Sequence, residues 1–191
     1  IANHGLTRRT TTKTKRCSAK ADSTTASCSS HAEATRLMAR GFVGGASTII
    51  VVLYAVGAGR WVSSDPGWYR SLVRPPWQPP DVVFGLIWPY NFVMLGIAGW
   101  IVAGREQRIE QVVWLASLTL SVAAALTWAY QFYVPHSLTT AGYALGAATM
   151  LTLPLVVVAF RASTWVGVAL VPYQLWLAVA TSLAFGYASR N

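Results

Sequence analysis

Residues 74–104 read RPPWQPPDVVFGLIWPYNFVMLGIAGWIVAG. Pro75, Pro76, Pro79 and Pro80 flank Trp77, and after Asp81 the run 82–104 carries no charged side chain. Wound as a helix at 1.5 Å per residue, that run is roughly 35 Å long, enough to cross about 30 Å of hydrocarbon. Four more uncharged runs of similar length lie at about 41–59, 112–134, 139–160 and 164–187. In lipid every backbone polar group needs an internal partner, so only helices or closed barrels span. Continuous apolarity excludes the alternating pattern of a barrel strand. The fold class that follows is an all-α integral membrane protein, a five-transmembrane-helix bundle.

Composition agrees. Hydrophobic residues make up 54% of the 191, charged residues only 11%, and mean hydropathy is +0.43, whereas soluble domains carry about 25% charged residues. The net charge of +9 raises the question of nucleic acid. However, eight of the fifteen Lys and Arg precede residue 41, and none of the remaining seven falls inside an apolar run. No basic face for a duplex remains, so a nucleic-acid partner is excluded and the bilayer is the expected surrounding.

The chain divides at about residue 36. Residues 1–36 are rich in Ser, Thr, Lys and Arg and show no periodicity able to bury a core; they are expected to form a disordered basic extension. Their composition suits an organelle transit sequence or an extension without structural role. Cys17, Cys28, His4 and His31 match no compact zinc spacing, so no metal site is expected. Residues 37–191 form the membrane domain, with termini on opposite sides and a weak positive-inside bias for a cytoplasmic N-terminus. The connections 105–111, 135–138 and 161–163 are short, while 60–81 is long and is where function is expected.

The prolines of that loop forbid helix over 74–80 and make a stiff lip. Trp77 is held in its middle, with Trp61, Trp68 and Tyr69 nearby. Such a preorganised aromatic lip suits a flat apolar ligand, or simply an interfacial belt. On the second span Trp88 and Phe92 are four apart and share a face. Pro89 frees the carbonyl of Gly85, and Asn91 puts an amide into hydrocarbon, where it is expected to face the interior and find partners. Pro172 on the fifth span is followed by Tyr173, Gln174 and Trp176. Two proline-broken helices, each presenting tryptophan, imply a cavity. The small-residue pairs Gly41/Gly45, Ser121/Ala125 and Gly142/Gly146 serve packing within the bundle or between protomers. No Ser-His-Asp set, intramembrane carboxylate or phosphate loop is present, which argues against hydrolysis, metal chemistry and proton-coupled transport.

WYRSLVRPPWQPPDVVFGLIW (68–88) and LVPYQLWLAVATSL (170–183) resemble the TspO/MBR family, the tryptophan-rich sensory proteins and translocator proteins. The similarity covers about residues 37–190. It implies a five-helix bundle, commonly a homodimer, whose pocket is closed by the first loop and binds porphyrins and other tetrapyrroles or sterol-like molecules for transport or sensing. No cofactor is required, with porphyrin or haem as the expected ligand. Carried over, the ligand-binding candidates are Trp77, Trp88, Asn91, Phe92, Tyr173 and Trp176, and the lid residues are Trp68, Pro75, Pro76, Pro79 and Pro80. The resemblance also implies two alternatives. In one, light-dependent porphyrin breakdown occurs with Trp88 and Trp176 as the reactive indoles. In the other, the chain is a sensory or scaffold subunit acting through a protein partner. Leu183, Tyr187 and Arg190 fit the loose sterol-recognition pattern, which an interfacial Tyr with a snorkelling Arg matches equally. The family implies a bacterial membrane, or alternatively an organelle membrane such as the mitochondrial outer membrane. The sequence departs from the family in carrying Ala125, Tyr130, Tyr133, Ala144 and Ala184 where Asn, Pro, Phe, Asp and Asn are expected.

Overall fold

In the computed structural model, which describes residues 10–62 and 64–191, with side chains from Glu33 onward, every expected span is a helix. The elements are α1 (Thr10–Val62), α2 (Pro66–Ser71), α3 (Asp81–Ala103), α4 (Arg108–Tyr133), α5 (Leu138–Ala162) and α6 (Thr164–Ala188). Within α1, the described segment long and apolar enough to cross a membrane is Glu33–Val62. The expected disordered extension falls partly outside the described residues, which begin at Thr10, where the backbone is already helical. Residues 40–191 form one compact unit. The chain is a multi-pass membrane protein whose five long apolar helices, α1 and α3–α6, pack side by side.

Close approach between the helices occurs at small residues. On α3, a Cβ at Gly99 would lie 2.5 Å from Ser47 Cβ, and one at Gly44 on α1 would lie 2.5 Å from the Trp100 ring. Ser47 donates to its own Val43 carbonyl at 2.8 Å and accepts from Trp114 Nε1 at 3.0 Å, which ties α1 to α4 inside the bundle. Between α5 and α6, Gln174 donates to the Thr149 carbonyl at 2.9 Å and accepts from Thr152 at 2.6 Å, while the Thr149 and Thr181 hydroxyls are 2.9 Å apart. These bonds satisfy polar groups that hydrocarbon would leave unpaired. Gly142 accommodates Phe185 and Gly146 faces Thr181, so that small-residue pair serves packing within the bundle; Gly41 and Gly45 have no neighbour within 4 Å of a Cβ position.

One expectation about the helices is corrected. Pro89 and Pro172, and Pro154 as well, lie inside helices that run through them without a break. A proline removes one donor and frees one carbonyl, a loss that packed neighbours absorb in a membrane bundle. Beside these prolines, the Tyr90 hydroxyl donates to the Ala169 carbonyl at 2.9 Å and joins α3 to α6.

The long first loop is partly helical. Asp65 caps α2, accepting from the Trp68 N–H at 2.9 Å, and Pro66 occupies the first turn, where no donor is required. Residues 72–80 remain extended or turned, as four prolines dictate.

Candidate functional site

Beneath the first loop lies a cavity of about 430 Å³, within the range of small-molecule sites. The α3 wall is Phe84, Gly85 and Trp88, whose aromatics recur every four residues along one helix face. The α4 wall is Trp128, Phe132 and Tyr133. The α6 wall is a single stripe of Trp176, Ala180, Leu183, Ala184 and Tyr187. Pro66 and Tyr69 of α2 close the top, with Val62 and Asp81 at the margin.

The aromatic walls brace one another. Trp88 stacks on Phe92 at 5.7 Å, and Phe84 meets Trp176 edge-on at 4.9 Å. Phe132 touches Trp128, Tyr133 and Tyr187 with centroids 4.9–6.1 Å apart. Edge-to-face and offset arrangements of this kind favour rigid, correctly oriented rings. The indole N–H groups of Trp128 and Trp176 are buried without an acceptor in the protein, so two residues of the lining each retain an unused donor. The Gly85 carbonyl, freed by Pro89, belongs to the same wall.

Three sets of contacts hold the loop over the cavity. Trp68 stacks on His136 of the α4–α5 connection, with centroids 3.9 Å apart and planes 14° apart, and Asp65 reaches the same imidazole at 3.8 Å. His136 takes a left-handed conformation, φ 57°, that turns the chain toward the loop. Tyr187 donates to Gln78 Oε1, whose amide nitrogen lies 3.4 Å from the Tyr69 hydroxyl. On the outer side Asn191 bonds both backbone groups of Val73, at 2.9 and 3.3 Å, and Pro75 and Trp77 lie against Gly186.

The structure brings together Trp88, Trp176, Leu183 and Tyr187 at the cavity and places the other candidates elsewhere. Trp77 does not guard the mouth: it lies on the outer side of the loop, 49% exposed, with the Arg190 guanidinium 4.8 Å over its ring. The stiffness of the prolines directs that indole onto the end of α6 rather than inward. None of Pro75, Pro76, Pro79 and Pro80 lines the cavity; Pro75 is buried against Gly186. Trp68 acts as the loop's anchor, not as a wall. Asn91, Phe92 and Tyr173 form a layer deeper in the bundle, because positions three and four along α3 from Trp88 descend by one turn. Asn91 is fully buried, as expected for an intramembrane amide, yet neither its oxygen nor its nitrogen has a protein partner. Of the sterol pattern, Leu183 and Tyr187 face the cavity while Arg190 caps Trp77.

Phe84, Trp128 and Phe132 are cavity residues that the sequence reading did not single out, and Tyr69 and Tyr133 were noted there only as a neighbour of Trp77 and as a departure from the family. The four-residue spacing of Phe84 with Trp88 and of Trp128 with Phe132 carried a signal for two of the walls. Chemically, the lining is indole, phenol and alkyl with one rim carboxylate, Asp81, which lies 3.9 Å from Arg74. Among the described residues no group of three metal-binding side chains exists. The arrangement suits binding of an apolar, ring-rich molecule.

Comparison with known proteins agrees with this architecture. The TspO/MBR family profile matches residues 47–190. The chain is 32% identical over 142 residues to tryptophan-rich protein TspO of Chlorobaculum tepidum, covering 72% of this chain and 89% of the relative. It is 32% identical over 123 residues to the tryptophan-rich sensory protein of Cereibacter sphaeroides, covering 62% and 73%. It is 29% identical over 137 residues to protein CrtK of Rhodobacter capsulatus, covering 71% and 85%. With the family profile spanning most of its length and five membrane helices, three of which wall an aromatic cavity, the chain belongs to the TspO/MBR family.

Proposed function

We propose that this protein binds a flat, hydrophobic ring system, a porphyrin or related tetrapyrrole, in the cavity beneath its first loop, and that it transports or senses that ligand. The observation that carries the reading is the convergence of Trp88, Trp128 and Trp176 from three helices on one cavity of about 430 Å³. Three indoles offer broad π faces at little entropic cost, and stacking a planar ring on each contributes on the order of 1–3 kcal/mol. The unused indole N–H donors of Trp128 and Trp176 favour a ligand that carries hydrogen-bond acceptors at its edge. A sterol, which has a single hydroxyl and no π face, uses less of this lining. The word "sensory" in the name of a relative supports a signalling use of the bound ligand.

The test is a porphyrin titration of the purified protein in the dark, followed through tryptophan quenching, and then illumination with the absorption spectrum recorded. Saturable quenching with an intact Soret band is the expected result. Loss of that band beyond a free-porphyrin control would assign a light-driven breakdown to the same indoles. Trp88→Phe and Trp176→Phe, which shrink the stacking face, are expected to weaken porphyrin binding by about tenfold together, corresponding to about 1.4 kcal/mol. Unchanged affinity in both variants would overturn the stacking arrangement, and absence of saturable quenching would overturn the ligand class.

A further inference from the structure

At the end of the bundle opposite the first loop, a second cavity of about 340 Å³ opens between the start of α4 and the end of α5. Ile109 and Val113 form one side and Leu153 and Val157 the other, with Glu110 and Arg161 at its polar end. Ile109, Leu153 and Val157 are all well exposed, and they lie within segments that cross the membrane. The groove therefore opens to the hydrocarbon and its occupant is apolar along most of its length.

The polar end is not electrically balanced. Glu110 is 5% exposed and accepts from Arg105 Nε at 3.0 Å, so its charge is matched from within the α3–α4 connection. That connection is fixed further by Gln111, which donates to the Ala103 and Arg105 carbonyls at 3.2 and 2.8 Å. Arg161, in the last turn of α5, is exposed and meets no carboxylate within ion-pair distance among the described residues. Arg108, exposed at the first position of α4, adds a second positive charge at the same end. A guanidinium at the mouth of an apolar groove offers forked donors to a phosphate while the groove holds a chain.

We propose that this groove is a binding site for an anionic phospholipid, with an acyl chain along Val113 and Val157 and the headgroup phosphate on Arg161. Basic pockets between transmembrane helices select acidic headgroups in this way. Charge decides between lipids here. A zwitterionic lipid brings its own cation to a rim whose only buried carboxylate is already neutralised, whereas an anionic lipid brings the net charge that Arg161 lacks. The site is separate from the aromatic cavity and does not depend on what that cavity holds.

The experiment uses the full chain with Val157→Trp as a reporter, reconstituted in bilayers in which brominated phosphatidylglycerol or brominated phosphatidylcholine replaces a small fraction of the lipid. The added quenching relative to the unsubstituted chain reads occupancy of the groove. Because the reporter ring occupies part of the groove, native mass spectrometry of the unmodified chain, counting retained lipids of each class, accompanies it. Phosphatidylglycerol is expected to be preferred by about fivefold, the effect of one arginine near a membrane surface. Arg161→Gln is expected to reduce the preference to near parity, Arg161→Lys to retain part of it, and Arg190→Gln, at the opposite end, to leave it unchanged. Equal occupancy by the two lipids in the unmodified chain would overturn the proposal. So would a preference that survives Arg161→Gln, or one abolished equally by Arg190→Gln, which would make it a general surface-charge effect.

Discussion

Asn91 is the residue whose position is hardest to reconcile with stability alone. It is fully buried in a membrane helix, and both polar atoms of its amide lack protein partners. Leaving a buried polar group unsatisfied costs about 1–3 kcal/mol. Tyr54, packed edge-on against Phe92 at 5.2 Å, has a hydroxyl in the same state. Asn91→Leu, which keeps the volume and removes the amide, is therefore expected to raise the thermal midpoint in detergent by about 2–6 °C. A lower midpoint in that variant would mean that the amide is satisfied in the membrane and stabilises the layer below the cavity. At this scale the sequence was legible in one respect only. An amide amid apolar residues had to be buried, but whether it met a partner depended on helices that pack around α3 from elsewhere in the chain.

The first loop illustrates what an element draws from its own residues and what it draws from elsewhere. Asp65 and Pro66 hold the local signal for α2, a cap followed by a proline in the first turn, and the four prolines of 75–80 hold the local signal for an extended lip. Neither tells where the indoles go. Trp68 is set by the His136 stack, and Trp77 by Gly186 and Arg190, all more than sixty residues away. The five spans, by contrast, were readable in full, because a charge-free run of about twenty residues has few other structures open to it. The cavity was half readable: Trp88 and Trp176 stand beside prolines that drew attention to them, whereas Tyr69 and Phe132 matter only through the packing of α2 on α4. The loop's outer contact is open to test. A Cβ at Gly186 would lie 2.9 Å from both Pro75 and Trp77, so Gly186→Val must push the lip away from α6. Losing the Arg190–Trp77 contact, about 0.5–1 kcal/mol, and one or two hydrogen bonds from Asn191, about 1 kcal/mol, is expected to speed ligand dissociation by about tenfold. Stopped-flow displacement of bound porphyrin measures it. An unchanged rate would show that the Trp68–His136 and Tyr187–Gln78 contacts hold the loop without help from its outer side.

For the whole molecule, an odd number of spans divides the charged residues between two faces. Arg105, Arg108 and Arg161 lie at the ends of α3, α4 and α5 away from the loop, while Arg70, Arg74 and Arg190 lie on the loop side. The membrane domain alone is close to balanced, and the basic stretch before residue 37 tips the count toward a cytoplasmic location for the end bearing Arg161. On that count the aromatic cavity is expected at the opposite, non-cytoplasmic face, where its loop lies. The consequence is measurable with single cysteines in a chain whose Cys17 and Cys28 are replaced by serine. Arg108→Cys and Arg161→Cys should react with a membrane-impermeant maleimide only after the membrane is permeabilised. Arg70→Cys and Arg190→Cys should react in intact cells. The reverse pattern would place the cavity mouth on the cytoplasmic side and make cytoplasmic ligand its source. Labelling of all four from one side would be incompatible with five crossings, and with them the bundle that builds the cavity walls.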